Sequence, residues 1–116
     1  MPESSSESQL FDTQALTRLI ERCFDLSMSG AVPRAARAEY LAQGKRLREQ
    51  LMRLLGARFD AGSAEFQKAS AALTETNEAL AQRAQDQAAV TTAVQRLGEL
   101  AGYLDKVLAV AGKVIS

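Results

Sequence analysis

The chain has 116 residues, enough for one small domain, and its 14 basic and 14 acidic side chains give a formal net charge of zero. A chain without net charge has no overall attraction to nucleic acid or to an anionic membrane. The sequence has no histidine and one cysteine, which excludes the commonest general base and any internal disulfide.

The N-terminal segment is rich in serine and glutamate. It holds too little apolar surface to offset the entropy of ordering, so residues 1–10 predict a disordered acidic tail. It lacks the basic start and apolar stretch of a secretory signal, and the chain has no run of about 18 uncharged apolar residues. We expect one helical domain over residues 11–116, in the cytoplasm.

Apolar residues after the tail recur at intervals of three and four, without period-two alternation, which predicts an all-α fold. The first helix is expected to begin at Asp12 or Thr13, either of which can cap it, and to end at Gly30 in the left-handed conformation. Cys23 lies on the apolar face of this helix, where a small buried side chain is a simpler interpretation than a reactive thiol.

A second helix is predicted from Pro33, which suits a first turn, to Phe59. Gly44 lies in or beside its apolar stripe and would let another helix approach closely. Ser63 is expected to cap the helix that follows. The stripe consists of Ala36, Tyr40, Leu47, Leu51 and Leu54, widened by Leu41, Leu55 and Phe59.

The segment 63–111 keeps a seven-residue apolar repeat, which favours one continuous, coiled-coil-like helix of roughly 70 Å. Its middle is poor in large apolar residues, with only Leu80 and Val90 between residues 74 and 92. Asp86 can cap a new helix there. The predicted fold class is therefore an all-α helical hairpin or bundle with a long C-terminal helix, and a four-helix bundle is the alternative.

The C-terminal part carries an apolar arc over about half the helical circumference, and such an arc must be covered. The first two helices offer limited cover, so we expect a homodimer that shares this face. Gly98 and Gly102 predict close helix packing in a bundle. The core or oligomer face comprises Leu97, Leu100, Leu104, Val107, Leu108 and Ile115.

The second helix concentrates positive charge. Seven basic and two acidic residues lie between Pro33 and Phe59, a net charge of +5, whereas the chain before and after carries −3 and −2. This asymmetry predicts contact with an acidic protein partner. Nucleic acid is less favoured, because no aromatic residues are interleaved. The predicted partner-binding face consists of Arg34, Lys45, Arg46 and Arg53.

Enzymatic chemistry and cofactors are not expected. Without histidine no Ser-His-Asp or Cys-His arrangement exists, and Glu75 and Glu78 lie among polar residues that offer no apolar pocket. We expect a protein–protein interaction module, a self-associating bacterial accessory or adaptor protein whose Ala- and Arg-rich composition suits a GC-rich genome. The alternatives are a membrane-interacting or secreted helical effector, using the C-terminal segment, and a small nucleic-acid-associated regulator, using the second helix.

Overall fold

The computed structural model describes residues 8–60, 62–81 and 87–115. This part of the chain forms an all-α bundle, as predicted, and its C-terminal helix is the longest, with 29 residues. The elements in chain order are β1 (Ser8–Leu10), α1 (Thr13–Ser27), α2 (Arg34–Leu54), β2 (Arg58–Asp60), α3 (Ala64–Leu80) and α4 (Gln87–Ile115).

Helix α1 begins as the sequence predicts. Asp12 caps it, because its Oδ1 accepts a 3.0 Å hydrogen bond from the backbone N–H of Ala15. The expectation for Gly30 is wrong, since that residue has no positive φ. The helix ends earlier, where the N–H of Met28 reaches the carbonyl of Asp25, and these short-range hydrogen bonds need no left-handed residue.

Helix α2 ends before the predicted boundary. Pro33 is its N-cap, and Leu54 is its last residue. Gly56 follows with φ +79°, so it takes the left-handed role that the sequence assigned to Gly30. Phe59 therefore lies outside the helix, in β2.

The two short strands pair antiparallel. The prediction of a disordered tail over residues 1–10 is wrong for its last three residues, which form β1, whereas residues 1–7 lie outside the described part. Phe11 follows β1 directly and is buried, with its ring 5.8 Å from that of Phe66. Backbone pairing and this aromatic contact together order the segment. The paired residues are Ser8 with Asp60, Gln9 with Phe59 and Leu10 with Arg58.

The expectation of one continuous helix over 63–111 is wrong, and the four-helix alternative is confirmed. Arg96 Nη1 of α4 lies 3.3 Å from Glu75 Oε1 of α3, although a straight helix would separate these residues by roughly 30 Å. Two packed helices can keep one heptad phase because each buries one face in the same core. The proposed cap, Asp86, lies outside the described residues.

The start of α3 agrees with the prediction. Ser63 caps it, with its Oγ accepting a 3.2 Å hydrogen bond from the N–H of Phe66. The two large apolar residues in the middle of the repeat, Leu80 and Val90, are both buried. Thr76 is also buried, and its hydroxyl donates to the carbonyl of Ala72, 2.6 Å away.

Helices α1 and α2 approach each other closely at Gly44, as predicted. A Cβ on this glycine would lie 3.1 Å from Cε1 of Phe24 and 3.3 Å from Cβ of Cys23. Helix α2 also contacts α4, and α3 contacts both α1 and α4. One core results, whose largest fully buried side chains include Leu16, Leu19, Tyr40, Leu47, Leu54, Leu80, Leu97, Leu100 and Leu104.

Candidate interaction surface

The four basic residues singled out in the sequence all lie on α2 and are all exposed. Arg34 and Lys45 are eleven residues apart, about three helical turns, so they project from the same line along the outer side of the helix. Arg46 and Arg53 lie nearer α4, since both act on the carboxylate of Asp105. The predicted face is therefore assembled, but it has an outer and an inner edge.

A polar network joins the inner edge of α2 to α4. Arg46 Nη2 lies 3.0 Å from Asp105 Oδ2. The side-chain amide of Gln50 donates to Asp105 Oδ1 at 2.8 Å and to the carbonyl of Ala101 at 2.9 Å. Gln50 is only 3 % exposed, and its Nε2 makes both of these hydrogen bonds inside the bundle, whereas its Oε1 is buried without a hydrogen-bond partner among the described residues. Sequence reasoning missed Gln50 because one glutamine beside a leucine stripe has no distinguishing pattern.

The network perturbs the acidity of Asp105. The hydrogen bond from Gln50 lowers the pKa of this carboxyl, the hydrogen bond and charge of Arg46 and the charge of Arg53 act in the same direction, and partial desolvation opposes them. Arg46 is thus committed to its own chain. Its part in partner binding stays a prediction beside this intramolecular role, whereas Arg34 and Lys45 make no ion pair with any described residue.

The apolar arc of α4 lies inside the bundle. Five of its six predicted residues are at most 8 % exposed within a single chain, which removes the reason for expecting a dimer through this face. The side chain of the sixth, Ile115, lies outside the described part. Helices α2 and α3 both pack on α4 and supply the cover that the sequence appeared to lack. The buried five are Leu97, Leu100, Leu104, Val107 and Leu108.

Three large apolar side chains are exposed instead, two on α2 and one at Leu55, the residue that follows the helix. Leu41 and Leu55 were expected in the buried stripe, but they are 38 % and 52 % exposed, and Met52 is 65 % exposed. Helix α2 packs against α1 and α4 with its other side, which includes buried Tyr40, Leu47 and Leu54. Together with Lys45 and Arg48, the three exposed residues recur at intervals of four and three residues. That spacing in the sequence could have identified a second row, distinct from the buried stripe.

Gly98 and Gly102 of α4 have open space beside them. A Cβ added at Gly98 or Gly102 would meet no atom within 4 Å, so the predicted close approach at this pair is wrong.

Near the start of α4 a groove of about 370 Å³ separates it from α2. Its lining includes Pro33, Ala36, Val90 and Val94.

The carboxylates considered for acid–base chemistry lie in solvent. Glu75 pairs with Arg96, with both side chains about half exposed, and Glu78 is exposed. No three Cys, Asp or Glu side chains of the described ranges are grouped to hold a metal ion. Burial raises the pKa of the Cys23 thiol to about 12, so this thiol stays protonated at neutral pH, as expected of a core side chain.

Within residues 8–60, 62–81 and 87–115, no helix combines the length and apolar character that a bilayer span requires. Comparison with protein-family models, with curated proteins and with solved structures found no match to the chain.

Proposed function

We propose that the protein is a non-enzymatic interaction module of the bacterial cytoplasm that binds an acidic protein through the outer side of α2. The observation that carries the proposal is the segregation of charge. Six basic and two acidic residues lie on α2, within a chain whose net charge is zero. A face that served only to keep the protein soluble would not need one sign of charge concentrated on one helix.

The residues of this face have different roles in the proposal. Arg34 and Lys45 are exposed, form no ion pair with any described residue, and contact the partner in this proposal. Arg53 adds positive potential at the C-terminal end. Arg46 contributes to the same field while it holds Asp105, so its removal would disturb the bundle as well as the surface. Such an arrangement speeds association and selects partners by charge more than it adds affinity.

The other functions considered for this chain have less support. A lipid-binding C-terminal segment would need the apolar arc of α4, which is buried up to Leu108. Self-association stays a prediction that light scattering tests, and a monomer at tens of micromolar would contradict it. Nucleic acid would use the same basic side of α2, so it enters the test below as a competing ligand.

The test compares two triple variants that remove the same charge. The first changes Arg34, Lys45 and Arg53 to glutamine and leaves Arg46 in place. The matched control changes exposed cations of the other helices to glutamine, at Arg18, Lys68 and Lys106. Partners captured from the native host on the parent protein are identified, purified and titrated against the parent and both variants, with mixed-sequence DNA in parallel.

The proposal predicts that an acidic protein binds the parent and the control equally and binds the α2 variant at least about tenfold more weakly. Melting temperatures should agree among the three, because exposed charges contribute little to stability. Equal affinity of the α2 variant and the parent at low salt would contradict the proposal. DNA binding that falls steeply with salt, with no protein partner, would assign the face to nucleic acid.

A further inference from the structure

A regular row of exposed side chains runs along the outer side of α2 and ends at Leu55, the residue that follows the helix. Successive members are four, three, four and three residues apart, which is the spacing of seam positions in a two-stranded coiled coil. All members are exposed, although the same helix buries its other side in the bundle. We call this row the outer seam, and it consists of Leu41, Lys45, Arg48, Met52 and Leu55.

The outer seam concentrates the exposed apolar surface of the molecule. Four large apolar side chains are exposed among the described residues, and three of them are Leu41, Met52 and Leu55. Single apolar residues scattered over a surface are ordinary, but three aligned on one helix face mark a place where another surface docks. The two leucines are fourteen residues apart, so the seam is roughly 21 Å long.

The centre of the outer seam is cationic. Lys45 and Arg48 occupy two consecutive seam positions, and an open hollow of about 510 Å³ is lined by both of them together with Glu49 and Met52. The guanidinium of Arg48 lies 5.7 Å from the centre of the Phe24 ring, which holds this cation in place. Arg34, one heptad before Leu41, is also exposed and extends the positive line.

These charges decide which helix can occupy the seam. A second copy of α2 laid along it would set cations of one chain against cations of the other, which disfavours a homodimer here. A helix that carries carboxylates at the two central positions and apolar side chains on either side is complementary in both respects. An anionic membrane would also attract the two cations, but a lipid surface has no side chains that repeat with the 3.5-residue period of the seam.

We propose that the outer seam docks a single amphipathic helix of an acidic protein. Apolar side chains of that helix cover Leu41, Met52 and Leu55, and its carboxylates lie against Lys45 and Arg48. The inference rests on the proposed function and states the form of the acidic partner, a helix with coiled-coil spacing rather than an irregular acidic segment.

The probes are designed helical peptides with the length of α2, 21 residues. One pair places leucine opposite the apolar seam residues and glutamate opposite the cations, for the two possible chain directions. A scrambled peptide keeps the composition but loses the period, and vesicles of phosphatidylglycerol and phosphatidylcholine test the membrane. Binding is followed by fluorescence anisotropy for the peptides and by flotation for the vesicles.

Two double variants and their controls separate apolar docking from charge. Leu41→Gln with Met52→Gln removes apolar surface without changing charge, and Met28→Gln, exposed and off the seam, is its control. Lys45→Gln with Arg48→Gln removes charge, and Arg18→Gln with Lys106→Gln is its control. All these residues are exposed, so each variant is expected to keep the fold, which circular dichroism verifies.

The proposal predicts that a periodic peptide binds at least about tenfold more tightly than the scrambled one, and that both seam variants lose that preference while both controls keep it. If both kinds of peptide bind equally and only the charge variant weakens them, the helical seam is wrong but the acidic partner stands. If no peptide binds, or if the charge variant changes nothing, the helical seam is wrong, and the titration of the triple variants decides separately whether the acidic partner stands. Vesicle binding without peptide binding would overturn the seam in favour of lipid.

Discussion

Asp105 forms both an ion pair and a hydrogen bond to a buried side chain of the neighbouring helix. It lies on the surface of α4, about half exposed, yet it accepts hydrogen bonds from buried Gln50 and from Arg46 of α2. Since the carboxylate is the form that these donors stabilise, its pKa is lowered from the usual 3.8. The same contacts join α2 to α4.

Asp105 predicts how stability depends on pH. A carboxyl whose pKa is lower in the folded state adds stability that is complete above the unfolded pKa and is lost as pH falls through the folded value. We expect the parent to exceed Asp105→Asn by up to about 1 kcal/mol at neutral pH, because solvent screens the exposed pair. Urea unfolding should show this difference shrinking below about pH 4. A constant difference down to about pH 2.5 would contradict the role given to the charge.

The glycines supply a second prediction at the residue scale. Alanine in a helix interior is favoured over glycine by about 1 kcal/mol, so Gly98→Ala, with open space around its Cβ, should stabilise by about 0.5–1 kcal/mol. Gly44→Ala should instead destabilise, by about 1 kcal/mol net, because its Cβ would press on Cβ of Cys23, which cannot move without shifting α1. Denaturant melts of both variants check the signs, and stabilisation at both positions would show that α1 and α2 are not in tight contact.

At the scale of elements, local capping was predictable and connectivity was not. Asp12 and Ser63 were identifiable because a capping oxygen acts within its own first turn. The left-handed conformation predicted for Gly30 after α1 was wrong, and the one at Gly56 after α2 was not predicted, because the path of the chain after a helix depends on the element that it joins next. The heptad phase likewise persists across the gap between α3 and α4, since it records burial and not continuity.

Helices α3 and α4 give a stability prediction. Leu80 lies in a segment poor in large apolar residues and Leu104 in one rich in them, but the two side chains are 1 % and 0 % exposed. We therefore expect Leu80→Ala and Leu104→Ala to cost similar free energies of unfolding, each on the order of 2–5 kcal/mol. Met52→Ala, at an exposed position, is the control and should stay within about 0.5 kcal/mol of the parent. A small loss of unfolding free energy for Leu80→Ala, together with a large loss for Leu104→Ala, would contradict the burial of Leu80.

At the scale of the whole molecule, the bundle decides which surfaces remain available. The apolar arc of α4, which was predicted to form an interface, is buried by packing within the chain. The outer seam of α2, part of which was predicted to be buried, is exposed. Hydrophobic periodicity identifies α2 as a helix with one buried side, but the second, outward row could be recognised only after its neighbours were known. The exposure of the four basic residues was easier to predict, because they lie on the side of α2 away from its buried leucines.

The neutral chain therefore carries a separated charge pattern, with its basic part held outward on one rigid helix. Such a pattern has no large effect on folding, and its expected consequence is on the rate at which a partner of opposite charge arrives. That consequence distinguishes a binding surface from a merely solvated helix side.

The rate of association with the purified acidic partner, measured by stopped flow at low salt and at about 0.3 M salt, tests the central claim most directly. We predict that the rate for the parent and for the control triple variant falls about tenfold or more between the two conditions. The variant lacking the charges of Arg34, Lys45 and Arg53 should begin near the screened rate and change less than about twofold with salt. The same rate and the same salt dependence for that variant as for the parent would contradict the assignment of α2 as the binding surface.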